Sequence, residues 1–550
     1  LIATALRHGI ALDCITADYG QTIQQSAVPE SSINRAEPDA VLIALDHRGL
    51  PLGVNEFDEA AAANVVAESV SFVETLRAGF RAHAGAPSIV QTVAPPAETL
   101  FGNLERSVGG TSRAAIGRFN DALVASVRDT PDVVFDVAAL AEVVGLSNWH
   151  DATQWHVAKF AFDAGFLPLY ADHVCRIIAA LRGKSRRCLV LDLDNTLWGG
   201  VIGDDGLEGI VLGQGSGTGE AFLDIQRMAL GLRRRGIVLA VSSKNDDAIA
   251  RVPFARHPEM LLREEHIAVF SANWNDKASN IVGIARELSL GIDAMVFFDD
   301  NPAERSLVRR TLPAVAIPEL PLDPALFGQT LLAAGYFEAV AFSEEDRKRA
   351  GFYRDNARRA ALQGQVADID GYLASLAMRI VFAPFDATGR SRIAQLVNKS
   401  NQFNVTTRRY AEADVAAFEA DPRAFTLQVR LVDTFGDNGM IAVVIVMPVA
   451  DDAWEIDTWL MSCRVLGRRV EQMVLREIVH HARAAGIRRL IGRYLPTERN
   501  GMVADLFEKL GFRCLGGEPP GETLWEIATD VEIEAAPMDV ERSGFATVTA

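Results

Sequence analysis

Cysteine is scarce in this chain of 550 residues, and the five present, Cys14, Cys175, Cys188, Cys463 and Cys514, stand far apart. An odd number with no CxxC pair excludes a disulfide framework and a cysteine-based zinc site. A reducing compartment, the cytoplasm, is the simplest expectation. Long apolar runs are missing too. The longest candidate, Ile441 to Val446, is strand-sized and is soon followed by Asp451 and Asp452, so no membrane span is expected. Positive charge is in deficit, with 54 Lys and Arg against 72 Asp and Glu and a net charge of -18. That balance argues against a general nucleic-acid binder. No internal repeat and no secretory leader are visible. The chain opens at Leu1 inside a helical pattern, and the native N-terminus is expected to lie upstream. What remains is ordinary for globular protein, 49% apolar and 23% charged, with room for about three domains.

The patterns predict an α/β, multi-domain chain with boundaries at 1–183, 184–321, 322–375, 376–530 and 531–550. The first segment alternates strand-like runs (11–16, 40–45, 88–93, 133–137) with helical ones (65–83, 113–128), as a helix-covered parallel sheet does. The second holds short apolar runs that each stop at polar residues: Cys188–Leu191 before Asp192, 237–241 before Ser242 and Ser243, and 294–298 before Asp299 and Asp300. Buried parallel strands look like this, and their carboxyl ends line the crevice where α/β proteins bind ligands. A charged helical connector (343–361) leads to strands at 426–433, 440–447 and 454–461, with a turn predicted at 435–439 from its Gly and Asn-Gly content. Helices at 391–398, 469–485 and 502–510 and a strand at 488–492 complete this segment. The tail after Asp530 is expected to be disordered.

The chemistry concentrates in Asp192-Leu-Asp194-Asn-Thr196, a DxDxT motif after a buried strand, which matches the first motif of the haloacid-dehalogenase (HAD) type. Asp192 ends the strand and can attack phosphorus. Asp194, two residues on, can reach the leaving-group oxygen and serve as acid and then base. Ser243, or Ser242, would hydrogen-bond a phosphoryl oxygen. Lys277 would neutralise charge on the transferring group. Two carboxylates facing a phosphate need a divalent cation with oxygen ligands, and Mg²⁺ fits, held by Asp192, Asp194, Asp299 and Asp300. Thr196 and Asn245 complete the candidate substrate contacts. The spacing from Thr196 to Ser243 and on to Lys277 leaves no room for a cap domain, so the site should be open.

Longer stretches carry a family resemblance. Asp192-Leu-Asp-Asn-Thr-Leu-Trp-Gly-Gly-Val-Ile-Gly-Asp-Asp-Gly206, Asn273-Trp-Asn-Asp-Lys277, Phe298-Asp-Asp-Asn-Pro-Ala-Glu-Arg305, Gln395-Leu-Val-Asn-Lys-Ser-Asn-Gln-Phe-Asn-Val-Thr406 and Ser462-Cys-Arg-Val-Leu-Gly-Arg468 resemble the FkbH-like proteins, a capless HAD subclass. The resemblance implies a glyceryl transferase and phosphatase. Such an enzyme takes the glyceryl group from 1,3-bisphosphoglycerate, removes phosphate and leaves a thioester on the phosphopantetheine arm of an acyl carrier protein, for polyketide extender units. A phosphatase acting on a sugar phosphate or glycan precursor is the alternative.

The third segment resembles a GNAT-type acyltransferase. Arg464-Val-Leu-Gly467-Arg468-Arg469 follows a strand and opens a helix, where backbone N–H groups bind phosphate. The resemblance makes Arg464, Gly467 and Arg468 pantetheine contacts. Arg469 replaces the small residue that ends the GNAT motif, so a carrier-protein arm with one phosphodiester fits better than coenzyme A. Cys463 is either an acceptor for the glyceryl group or a small core residue. Gln402 and Asn404 either bind glycerate hydroxyls or cap a strand. The first segment is similar to SGNH- or flavodoxin-like α/β domains, but Gln154 stands where a DxxH pair would place its histidine. A docking or substrate-gathering role is expected there, with His150 and His156 as structural or interface residues.

Overall fold

The computed structural model describes residues 1–18, 20–50, 52, 58–342, 351, 355, 359, 368–400, 402–462, 465–497, 500–517 and 521–545. They form two compact units: Leu1–Arg186 with Leu332–Ala341, and Arg187–Leu331 with Phe342–Ala550. Part of the expected connector therefore belongs to the first unit. Its predicted helix at 343–361 lies almost wholly outside the described residues.

The first unit holds a parallel sheet of β1 (Val41–Ile43), β2 (Ser88–Gln91) and β3 (Val133–Phe135). Helices Glu59–Ala84 and Ser112–Val127 pack on one face through Leu76, Phe80, Phe119 and Leu123. Helix Leu167–Leu181 covers the other through Val174 and Ile177. Residues 11–16, expected as a strand, pair with nothing and are irregular. The sequence reading also missed that Ala164–Leu181 has the length and composition of a membrane span. In the fold this stretch carries the Asp172–Arg176 ion pair and contributes Val174 and Ile177 to the apolar core with Phe135 and Trp149. Asp151 caps the helix Ala152–Ala158 by accepting from the backbone and side-chain amides of Gln154. His150 Nε2 lies 2.9 Å from the Pro95 carbonyl oxygen.

The second unit opens with a four-stranded parallel sheet, β4 (Cys188–Leu191), β5 (Val238–Ser243), β6 (Val269–Ala272) and β7 (Met295–Phe298), in the order β6-β5-β4-β7. Every residue of β4, β5 and β7 is buried, which is why each reads as an apolar run, ended in β5 by Ser242 and Ser243. Helices Lys277–Glu287 and Pro302–Thr311 lie against one face through Ile281, Ile284 and Val308.

A mixed sheet of eight strands follows. They are β8 (Met378–Ala383), β9 (Phe425–Asp433), β10 (Gly436–Ala450), β11 (Ala453–Met461), β12 (Arg489–Tyr494), β13 (Arg513–Gly516), β14 (Thr523–Ala528) and β15 (Met538–Arg542). Their order is β13-β14-β12-β11-β10-β9-β8-β15. β10 is central and buried on both faces, sending Ala442, Val444 and Val446 to one core and Val443 and Ile445 to the other. The β9–β10 turn comes earlier than expected: Asp433 pairs with Gly436, and Asn438-Gly439 falls at an irregularity within the ladder. β11 and β12 run parallel from Ala453–Arg489 to Ile456–Gly492 and then part. Residues 403–406 fill the gap. Phe403 O accepts from Met461 N, Val405 N donates to Trp459 O, and Leu495 N donates to Val405 O.

The tail, expected to be disordered, forms a strand among its described residues: β15 pairs in parallel with β8. The cause is a buried charge. Glu477, 2% exposed, accepts two hydrogen bonds of 2.8 Å from Arg542. Truncation after Asp530 would strip Glu477 of this partner and expose the β8 edge. His481 stays 3.1 Å from Glu477 and Arg542 is half-exposed, so the expected loss is about 1–3 kcal/mol, the cost of leaving a buried acceptor short of a partner, measured by denaturant unfolding of full-length and truncated chains.

Candidate active site

Strand register brings the chemistry together. Leu191 pairs with Phe298 on one side and Val241 on the other. The next residues, Asp192, Asp299 and Ser242, therefore emerge side by side at the carboxyl ends of three strands, about 5 Å apart across the sheet. One oxygen from each of Asp192, Asp299 and Asp300 lies within 4.8 Å of the others.

Lys277 enters from the first turn of its helix, whose N-terminus Asp276 caps by accepting from Ser279 N. The lysine is 2% exposed. Its Nζ donates to Asp192 Oδ1 at 2.5 Å and to Ser242 O at 2.6 Å, and stands 3.3 Å from Asp299 Oδ2. Burial alone would lower its pKa, but the Asp192 and Asp299 charges outweigh that and raise it. Asp299 behaves oppositely. Burial first, and the Asp192 charge second, push it up to about 7 against the opposing pull of Lys277. Burial and the same Asp192 charge also raise Asp300. Asp299 Oδ2 is buried with no hydrogen bond. An all-oxygen, electron-rich cluster, in which Asp299 Oδ2 has the Lys277 ion pair but no hydrogen bond, suits a hard divalent cation.

Asp194 departs from expectation. Its carboxylate is not in the three-acid cluster. Oδ1 accepts from Trp198 Nε1 and Ile202 N, both at 3.0 Å, and Oδ2 accepts from Asn245 Nδ2 at 2.8 Å. The carboxylate is thus occupied away from the three-acid cluster, and Asp192, Asp299 and Asp300 are the side chains that could hold a metal ion together. Local sequence explains the loop. Asn195 adopts a positive φ of 56° and accepts from Gly200 N, closing a tight turn that swings Trp198 back onto Asp194. Gln226, fully buried, donates to Leu197 O and accepts from Leu261 N and Leu262 N, bracing the same turn.

The two serines separate. Ser243 Oγ accepts from Asn245 Nδ2 at 3.1 Å, beside Asp194, whereas Ser242 offers its carbonyl to Lys277 and its hydroxyl has no partner. Thr196 Oγ1 donates to Asp300 Oδ1 and accepts from Asp300 N, so it anchors the acidic loop. Sequence reasoning missed Arg305, whose guanidinium donates to the carbonyls of Asp299 and Asp300 and fixes that loop from below. It also missed the Trp198 and Ile202 donors. All three lie inside the quoted motifs, and that was their one signal.

Among the described residues, those assigned to acyl transfer do not come together as a comparable site. Cys463 and Arg464 lie outside the described residues. Gln402 is exposed, whereas Asn404 is fully buried. The Asn404 amide is spent on backbone: it donates to Ser400 O and accepts from Thr406 N and Thr407 N. It is a capping residue, and the hydroxyl-binding role falls away. Arg468 is 5% exposed and donates to Asp433 Oδ2, which lies opposite a second guanidinium, Arg359. Burial and the Arg359 charge pull its pKa down to about 10. An arginine committed to this buried network is not available to a phosphodiester, so the expected contact is corrected. Gly467 adopts a φ of 74° and Arg469 a φ of 57° before helix Val470–Ala484.

A parallel sheet with three carboxylates and a buried lysine at its carboxyl edge defines a phosphatase-type domain of the HAD class. Comparison with solved structures agrees. The N-terminal part of the protein BF1531 from Bacteroides fragilis, described as containing a phosphatase domain and complexed with Mg, is 33% identical, with a TM-score of 0.56 over 62% of this chain and 89% of that one. The chain belongs to the family of that phosphatase-domain protein. Lower-scoring matches are the ribosomal-protein-S18-alanine N-acetyltransferase from Escherichia coli (14% identity, 28% of this chain and 97% of that one, TM-score 0.22) and the GNAT domain of S. lividans PAT (19%, 27% and 89%, TM-score 0.22). No family model and no curated protein matches the chain.

Proposed function

We propose that this chain is a Mg²⁺-dependent phosphoryl-transfer enzyme. Its substrate would be 1,3-bisphosphoglycerate and its product a glyceryl thioester on an acyl carrier protein. The observation that carries the first half is the Asp192–Asp299–Asp300 cluster with Lys277 against Asp192 and Asp299. Bound there, a divalent cation would offset the repulsion between these carboxylates and a phosphate.

The protein's own residues act as follows. An Asp192 oxygen attacks the ester phosphorus, the P–O bond to the substrate breaks, and the leaving oxygen takes a proton from Asp194. Asp194, now a carboxylate, takes a proton from water as the water oxygen attacks the phosphoaspartate. Phosphate leaves and Asp192 is restored. Lys277 holds Asp192 in place and balances charge on the transferring group. The acyl phosphate needs no such attack. The carrier thiol adds to its carbonyl, and the C–O bond to phosphate breaks, giving the thioester and inorganic phosphate. The FkbH-like stretches support this second half.

The burial of Asn404 and Arg468 favours a second reading, a phosphatase whose third domain binds no pantetheine. Intact-protein mass spectrometry separates the two. The chain is incubated with MgCl₂, freshly made 1,3-bisphosphoglycerate and a phosphopantetheinylated carrier. A glyceryl adduct on the carrier with phosphate released is the expected result. Phosphate with no adduct on either protein would leave the plain phosphatase.

A further inference from the structure

We infer that Asn245 and Trp198 are positioning residues that fix Oδ2 of Asp194 as the atom through which its proton passes. The inference rests on the phosphoaspartate reading above and adds to it an atom and two supporting side chains. A carboxylate offers about two acceptor positions on each oxygen. On Oδ1 both are taken, by the Trp198 indole N–H and the Ile202 backbone N–H. On Oδ2 one is taken, by Asn245 Nδ2. The position left for a proton is the second one on Oδ2.

The donors are rigidly held. Trp198 is fully buried and Asn245 is 4% exposed. Trp198 sits in the turn closed by Asn195, with Phe254 edge-on to its ring. Asn245 is tied on its other side to Ser243 Oγ at 3.1 Å. The orientation of the amide follows from chemistry, because an ionised carboxylate only accepts and must face nitrogen. One amide nitrogen therefore spans the acid/base residue and the serine placed for the phosphoryl group. Movement of either donor would let the carboxylate rotate and carry its proton away from the leaving oxygen. General acid catalysis tolerates little such error, since the donor must stand within hydrogen-bond reach.

The test uses leaving groups that differ in their need for a proton. A nitrophenolate departs unaided, whereas an alkoxide must be protonated. The full-length Asn245→Ala variant is assayed with MgCl₂ on p-nitrophenyl phosphate and on an alkyl phosphate, comparing kcat/KM, which ends at phosphoenzyme formation. The alkyl substrate is expected to lose at least about tenfold more than the aryl one, as general acid catalysis is worth on the order of 10²–10⁴. Slower hydrolysis should also leave a stoichiometric burst of nitrophenolate. Trp198→Phe keeps an aromatic side chain, smaller than the indole, and removes one donor, and the same selective loss is expected should the alanine variant fail to fold. Equal losses on both substrates, or none, would overturn the inference. Activity surviving in Asp192→Asn would instead overturn the phosphoaspartate reading.

Discussion

Asp192→Asn should release no phosphate above background, a loss of about a thousandfold or more, because removal of a covalent nucleophile leaves only residual binding effects. The substitution is close to isosteric. It also removes one of the two charges flanking Lys277 and one of those that push Asp299 upward. The fold should therefore survive, with an unfolding midpoint near that of the parent chain. Phosphate release is read by a coupled colorimetric assay, and the phosphoenzyme by mass after acid quench. A variant that folds and still turns over would refute Asp192 as nucleophile.

Lys277→Met should produce the largest change in metal-free stability. The lysine is the buried cation in direct contact with the Asp192 and Asp299 carboxylates, and its loss leaves them unbalanced. Breaking a buried pair in this way costs about 3–5 kcal/mol. The pH dependence of the parent chain follows from Asp299. Burial and the Asp192 charge hold its folded pKa at about 7, well above the ordinary carboxylate range. The native state therefore holds a proton that the unfolded state has released, and metal-free stability falls as pH rises through that window. A divalent cation competes with the same proton. The rise in melting temperature caused by MgCl₂ should accordingly be larger near pH 8 than near pH 6, and larger still in Lys277→Met at the higher pH. Differential scanning fluorimetry with and without EDTA decides this, and a magnesium effect independent of pH would show that Asp299 is not a ligand.

The phosphoryl-transfer site was legible because its strands are buried on both faces, so apolar runs stop where function begins. β6 was missed for the converse reason. Its Phe270 and Ser271 are half-buried, and four residues of mixed character give no period. Residues 11–16 show the limit of the same signal, an apolar stretch with no neighbouring strand to pair with. Asn438-Gly439 attracted the turn prediction, but the chain reverses at Thr434-Phe435, where Asp433 accepts from Phe435 N. The acyl-transfer residues misled for a different reason. Whether Arg468 is free or paired depends on Asp433, 35 positions away, and whether Asn404 binds a ligand depends on its own backbone folding under it. The tail was misjudged because the partner that orders it, Glu477, is 65 positions upstream of Arg542. Contacts of that span leave no local trace in a sequence.

The segment at 403–406 has a consequence for how the mixed domain could evolve. Where β11 and β12 part, the main-chain groups of Trp459, Met461 and Leu495 that an extended guest would meet are already bonded within the same chain. Recognition at that place has to be written in side chains. Surface substitutions there could retune what is recognised without disturbing the ladder beneath, whereas a change to Asn404 or Asn500, whose amide donates to Asn404 O, would loosen the scaffold itself.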